Sequence, residues 1–282
     1  MDDILKIMNN TGSVYPMRIN KYLASKNIST RKGADELVTK KKVFINGKLA
    51  MLGSKVSEGD SVEVNGTKDL SALAEEKKNY IYFTYNKPVD VITHSPQNKE
   101  QDIKEALKTN PVSRGILDSI FPVGRLDKNS HGLILLTNDG RITDQLLNPK
   151  YLHEKEYLVK TSNKLRSNFK QKMEAGVNIE GYVTKKCKVT ILNDFAFRIV
   201  LTEGKKHQIR RMCSALFQEI ANLKRERIMN IKLGNLKPNN LREIKGEELD
   251  IFLKSVFNKK KQNSKIYISK SPTLVLKGRA QE

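Results

Sequence analysis

The chain has 282 residues, 38% of them hydrophobic, and its 52 Lys and Arg against 31 Asp and Glu leave a formal net charge of +21. That apolar fraction suffices for a core in one large domain or two unequal ones, which excludes a chain that is nothing but a disordered basic tail. The charge excludes a polyanion-repelling surface and points first to nucleic acid and second to an anionic membrane surface, because each cation set on a phosphate releases condensed counterions.

Residues 1–16 read as a leader without a clear hydrophobic period. From there Ile19, Tyr22 and Leu23 fall on one helical face, leaving Arg18, Lys21 and Lys26 for solvent or phosphate. Ser29 and Thr30 offer N-caps to a second short helix, in which Ala34, Leu37 and Val38 stand at i, i+3 and i+4. Val43 to Ile45 runs into Asn46-Gly47, a two-residue hairpin signal, and Val56, Val62 and Val64 continue a small β unit around Gly59-Asp60. Residues 17–66 therefore form a small α/β module whose Arg18, Lys21, Arg31, Lys32 and Lys41 are candidate phosphate contacts. The polar, charged stretch 67–79 is a linker.

A larger α+β domain spans 80–257. It opens with an aromatic strand, Tyr80 to Tyr85, stopped by Asn86-Lys87-Pro88. The unbroken run Leu133-Ile-Leu-Leu136 predicts a strand buried on both faces, closed by Asn138-Asp139-Gly140. Further strands are expected at 157–161, 186–192, 196–202 and 228–233. One helix carries Ile209, Met212, Cys213 and Leu216, and a last one Leu249, Phe252, Leu253 and Val256. Residues 258–282 form a basic tail, with Lys259-Lys260-Lys261, expected to be mobile and to add affinity for phosphate.

Cys187 and Cys213 form no CxxC pair, so neither a zinc site nor a disulfide scaffold is indicated and the compartment reads as reducing. The longest apolar run is far short of the roughly 20 residues that cross a bilayer, and Asp2 and Asp3 stand where a signal peptide carries positive charge. A soluble, cytoplasmic protein is expected. The four histidines (His94, His131, His153, His207) lack metal-ligand spacing, and HExxH, P-loop and GxGxxG motifs are absent, which disfavours metal hydrolysis, nucleotide hydrolysis and hydride transfer.

Three segments could carry chemistry. Phe121-Pro-Val-Gly-Arg-Leu-Asp-Lys-Asn-Ser-His-Gly132 packs Arg125, Asp127, Lys128 and His131 into a loop ahead of the most apolar strand, an anchorage that can hold a side chain rigidly. The plainer alternative is that Asp127 caps a turn and pairs with Arg125. In Glu203-Gly-Lys-Lys-His-Gln-Ile-Arg-Arg-Met212, a glycine and cations at a helix start suit an RNA phosphate, with Lys205, Lys206 and Arg211 as candidate contacts; Arg210 and Arg211 lie off the apolar stripe, so at least one can reach a carboxylate. The alternative is a solvated basic face. In His153-Glu-Lys-Glu-Tyr157, the tyrosine opens a strand, a position where an aromatic is usually core.

In this order, Gly124-Arg-Leu-Asp127 with Gly132-Leu-Ile-Leu-Leu-Thr-Asn-Asp-Gly140, Lys155-Glu-Tyr157 and Glu203 to Met212 resemble the RsuA-type ribosomal RNA pseudouridine synthases. Arg18-Ile-Asn-Lys-Tyr-Leu23 through Val43-Phe-Ile-Asn-Gly47 is similar to the small S-four RNA-binding module that family carries in front. Within the family, His153 to Val159, Thr184 to Lys188 and Arg225-Glu-Arg-Ile-Met-Asn230 look most like the F-type enzymes acting on large-subunit (23S) rRNA, although His207 stands where several of those carry arginine. The resemblance implies a mixed, mainly antiparallel sheet with flanking helices and a cleft across it. It implies Asp127 as the catalytic aspartate, Tyr157 as the tyrosine that stacks on the target base, Arg210 as the basic partner of the aspartate, and Arg125 as the residue that opens the RNA stack. It further implies no cofactor, no metal, and an rRNA partner met by a monomer, free or in a pre-ribosomal particle. Small-subunit rRNA or a tRNA anticodon stays open as the target, and a non-enzymatic rRNA-binding assembly factor is the rival reading.

Overall fold

The computed structural model describes residues 15–26, 28–29, 31–66, 79–94, 96 and 100–257. Most of the expected leader, the Thr30 cap, nearly all of the linker and the basic tail lie outside the described residues.

The front module comprises β1 (Met17–Arg18), α1 (Ile19–Ser25), α2 (Arg31–Thr39), β2 (Val43–Ile45), β3 (Lys48–Leu49), β4 (Lys55–Val56) and β5 (Val62–Val64). Ile19, Leu23, Ala34, Val38, Val43, Val56, Val62 and Val64 make its core, so the helical and alternating spacings both bury the side chains expected. Asn46 and Gly47, at φ 51° and 76°, make the tight turn between β2 and β3, which needs positive φ at both central residues. The β unit is wired differently from the expectation: β4 pairs with β1, while β5 pairs with β2. Asp60 accounts for the break, accepting from Ser57 N at 2.7 Å and Asn46 Nδ2 at 2.8 Å and so tying the turn to the neighbouring hairpin.

The larger domain contains β6 (Tyr82–Lys87), α3 (Ile103–Leu107), β7 (Phe121–Val123), β8 (His131–Thr137), α4 (Arg141–Leu147), β9 (Lys155–Thr161), α5 (Phe169–Ala175), β10 (Asn178–Ile179), β11 (Tyr182–Val183), β12 (Lys188–Asn193), β13 (Ala196–Leu201), α6 (Gln208–Ala215), β14 (Ile220–Ile228), β15 (Ile231–Lys232), β16 (Leu241–Glu243) and α7 (Gly246–Phe257). A nine-stranded sheet has the order β12-β13-β9-β14-β8-β6-β16, with β7 on β8 and β15 on β14; β14 and β8 are parallel and the other pairs antiparallel. This is the mixed, mainly antiparallel sheet that was expected. β8 reads as a continuous apolar run because both its faces are covered: Leu133 and Leu135 join a core with Phe252 and Val256 of α7, Ile134 and Leu136 one with Ile103 and Leu107 of α3.

Two expected boundaries change. The first strand continues through Asn86 and Lys87, both buried. The strand expected at 228–233 is instead a tight hairpin: β14 ends at Ile228, the chain turns with Met229 at φ 52°, and the short β15 returns at Ile231–Lys232, while the long strand at the centre of the sheet is β14. Its sequence, Ile-Ala-Asn-Leu-Lys-Arg-Glu-Arg-Ile, looks too charged for that place, but two of the charges are paired across the sheet: Glu226 accepts from Arg198 at 3.0 Å and Arg227 donates to Glu156 at 2.6 Å. β14 can approach β8 only because residue 132 is glycine, since a Cβ there would stand 2.3 Å from the Arg225 carbonyl oxygen. Among the described residues no helix is long and apolar enough to cross a membrane.

Candidate active site

The loop between β7 and β8 is fastened through its backbone. The carbonyl of Arg125 accepts from Arg225 Nη1 at 3.5 Å and that of Leu126 from Thr93 Oγ1 at 2.9 Å. The Asp127 carbonyl accepts from Ser130 N at 3.0 Å, and the Lys128 carbonyl from Asp90 N at 3.0 Å and Lys87 Nζ at 3.5 Å. The Asn129 carbonyl accepts from Arg210 Nη2 at 2.8 Å. Donors from residues 87–93, 210 and 225, with Ser130 of the loop itself, thus fix the loop without using the Asp127 carboxylate. That carboxylate is 37% exposed and lies on the wall of a cleft of about 720 Å³, shared with Tyr157, Lys155, Arg225, Glu203 and His207. The size suits a single small ligand or an everted nucleoside.

The side chain next to Asp127 is not the expected one. His207 Nε2 stands 3.5 Å from Asp127 Oδ1, and among the described residues neither Arg210 nor Arg125 forms an ion pair with Asp127. The pairing expected for Arg210 is corrected by its own hydrogen bonds, to the Asn129 carbonyl and, at 3.5 Å, to Ser130 Oγ. The backbone of His207, at φ 51°, turns left-handed just before α6 and brings the imidazole to the aspartate instead. The same geometry removes the alternative of an Arg125–Asp127 turn pair: Arg125 is exposed on the cleft rim.

Tyr157 does two jobs. Its ring packs at the edge of the core around Val159, Phe197 and Ile209 and also lines the cleft. It pairs across the sheet with Arg225, just where the β14 register shifts between Arg225 and Arg227, an irregularity of the kind that re-aims side chains beside sites. Lys205 and Lys206 are exposed on the cleft rim. Arg211 is not brought to the cleft: it donates to the Ile179 carbonyl at 2.9 Å and Glu180 Oε2 at 2.7 Å, making it the member of the Arg210-Arg211 pair that reaches a carboxylate. The basic loop is anchored by buried Glu203, which accepts from Tyr182 Oη at 2.6 Å, Lys185 N at 2.9 Å and Gln208 Nε2 at 2.8 Å. Burial by itself would raise the Glu203 carboxyl, but those hydrogen bonds and the Lys185 charge together hold it below the ordinary value.

Three cations were not singled out from sequence. Arg225 is 3% exposed, donates from Nε to the Leu133 carbonyl at 2.6 Å, and keeps Nη2 buried without a partner. Burial and then the Arg225 charge lower the Lys155 ammonium to about 8. Burial also lowers Lys87 to about 8, against the opposing pull of Asp127 and Asp90. A weak signal existed for Arg225, which keeps step with Leu223 in the alternation of β14 and so shares its inward side.

The family model described as RNA pseudouridylate synthase matches residues 81–215, and the S4 domain model residues 17–62. The dual-specificity RNA pseudouridine synthase RluF of Escherichia coli (strain K12) is 39% identical over 239 residues, covering 84% of this chain and 78% of the relative. Ribosomal large subunit pseudouridine synthase B of Bacillus subtilis is 32% identical, over 82% of this chain and 93% of its own. Among solved structures, one described as the crystal structure of pseudouridylate synthase superposes with a TM-score of 0.60 at 25% identity, covering 85% of this chain and 99% of that one.

Proposed function

Because this chain belongs to the RNA pseudouridylate synthase family, and is therefore an isomerase carrying an S4 RNA-binding domain, we propose that it converts a uridine of 23S rRNA to pseudouridine with Asp127 as the catalytic carboxylate. The observation that carries the assignment is the fastening of the Asp127 loop through its backbone, which does not use the carboxylate and leaves it, beside His207, facing a cleft it shares with Tyr157. The target is supported by the printed name of the Bacillus relative, which specifies the large ribosomal subunit. The name of the Escherichia coli relative, dual-specificity, favours a second RNA target, of which a tRNA is the reading we carry.

In the reaction the C1′–N1 bond breaks with its electron pair on N1, the base turns, and C1′ joins C5; N1 takes up the proton that C5 gives up. Product and substrate are isomers, so nothing is oxidised, hydrolysed or transferred to a cofactor. An ionised Asp127 either attacks C1′ or removes the C2′ proton. The uridine must first leave its stack, at a cost of about a few kcal/mol that aromatic stacking and phosphate contacts offset. Tyr157 supplies the stacking face and Arg125, exposed at the rim, the group that fills the opened stack. Arg210 serves by holding the Asn129 carbonyl, and therefore the loop, rather than by pairing with the acid. Lys205 and Lys206 meet the RNA backbone at the cleft edge. We place the protein in the cytoplasm as a monomer acting on rRNA, free or within an assembling particle.

The test is to incubate the purified protein with 23S rRNA transcripts and map pseudouridine by carbodiimide-dependent primer extension. A single new stop is expected; no stop on 23S, 16S or tRNA substrates would return the chain to an RNA binder. In the S4 domain, Arg18, Lys21, Arg31, Lys32 and Lys41 are all exposed, as phosphate contacts must be. Replacing Arg31 by Gln is expected to flatten the dependence of log K on log salt by about 0.7–0.9 if it holds one phosphate. An unchanged slope in a salt titration of RNA binding would remove Arg31 from that face.

A further inference from the structure

Helix α6 ends in a way that its sequence makes expensive. Phe217 N donates to the Ser214 carbonyl at 2.9 Å and Gln218 N to the Cys213 carbonyl at 2.8 Å, the paired bonds of a Schellman motif. The residue after the cap in that motif is left-handed and is usually glycine, because a Cβ there meets the following carbonyl. Here it is Phe217, at φ 59°. A bulky side chain in that conformation is normally compensated by burial, yet Phe217 is 70% exposed. The Arg166 guanidinium stands over its ring, 4.7 Å from the centroid.

The surroundings say what the open face would receive. Residues 160–173 carry Lys160, Lys164, Arg166, Lys170 and Lys172 and no acid. This segment is tied to the helix end: Asn163 Nδ2 donates to the Phe217 carbonyl at 3.0 Å and Gln218 Nε2 to the Lys164 carbonyl at 3.3 Å. Asp194, 2.8 Å from Lys164, offsets one of those charges. An aromatic backed by a guanidinium within a cationic strip is the construction that stacks a base of single-stranded nucleic acid while its flanking phosphates are neutralised. The position suits a substrate already in the cleft. Helix α6 begins next to His207, beside Asp127, and its eight residues span about 12 Å. At about 3.4 Å per stacked nucleotide, that helix length corresponds to roughly four nucleotides.

We propose that Phe217, backed by Arg166, is a second RNA-docking site, which stacks an unpaired base of the substrate a few nucleotides from the modified uridine. The proposal rests on the reading that the substrate is RNA. Its test uses the full chain with Phe217→Gly, Phe217→Trp and Arg166→Gln, measured for melting temperature, for RNA affinity by filter binding and for steady-state kinetics. Phe217→Gly relieves the strained cap, so its melting temperature is expected to equal or exceed wild type, while Kd and KM for the rRNA fragment rise by about 5- to 100-fold. kcat is expected to stay at the wild-type value, Phe217→Trp to bind as wild type, and Arg166→Gln to weaken binding and lower its salt dependence. Wild-type affinity in Phe217→Gly overturns the proposal, as does an effect on self-association without one on RNA. If the wild-type chain makes no pseudouridine, the isomerase reading fails by itself, and the affinities of the variants still decide this one.

Discussion

Asp127→Asn is expected to bind RNA as tightly as the wild type and to make no pseudouridine, with single-turnover rates lower by at least about 10⁴-fold, the scale on which removing a nucleophile or base is felt. The substitution keeps the shape of the side chain and removes its charge and basicity. It should not disturb the loop, because the carbonyls of residues 125–129 are held by Arg225, Thr93, Ser130, Asp90, Lys87 and Arg210, none of which uses the Asp127 carboxylate. The measurement is carbodiimide mapping after a single turnover, beside a binding isotherm for the same transcript. Product at the wild-type rate would remove Asp127 from the chemistry; loss of both binding and folding would show that the carboxylate was structural.

Arg225 gives the second large effect, as a positioning residue that acts through the loop. Its guanidinium spans two carbonyls, Leu133 on β8 and Arg125 two residues before Asp127, so it sets the distance between the sheet and the reacting side chain. An ammonium reaches only one of them. Arg225→Lys is therefore expected to lower kcat by about 10²-fold, the cost of a displacement of about 1 Å at a reacting group, with KM unchanged. Arg225→Met leaves both carbonyls without this donor and is expected to cost about 2–4 kcal/mol of stability as well, reduced by removal of the unpartnered Nη2. Kinetics and thermal melts on the two variants check this. A Lys variant with wild-type kcat, or one whose kcat falls only as far as its folded fraction, would reduce Arg225 to a packing residue.

Much of this was legible before any coordinates. The S4 core appeared in the spacing of Ile19, Leu23, Ala34 and Val38, since a helix repeats its inward positions every three or four residues whatever it packs against. The run Leu133 to Leu136 announced a doubly covered strand for the same kind of reason. The site segments were legible as motifs, and five of the residues singled out in them, Arg125, Asp127, Tyr157, Lys205 and Lys206, do line one cleft. What misled was charge. Ile220–Ile228 carries three cations and one acid and does not read as a strand, because the partners of two of its charges, Glu156 and Arg198, come from β9 and β13, far away in the chain.

By itself the sequence determined the two-part organisation, many of the elements and the family chemistry, because those depend on local period, turn residues and short motifs that each segment carries alone. Only the tertiary structure decided which side chain faces Asp127, which cations hold its loop, and that Arg211 turns away to Glu180. The physical reason is range. A hydrophobic period acts along one element and can be counted, whereas a hydrogen bond or a charge pair is chosen across space by a few ångströms. Here the left-handed turn at His207 and the missing Cβ at Gly132 supply them.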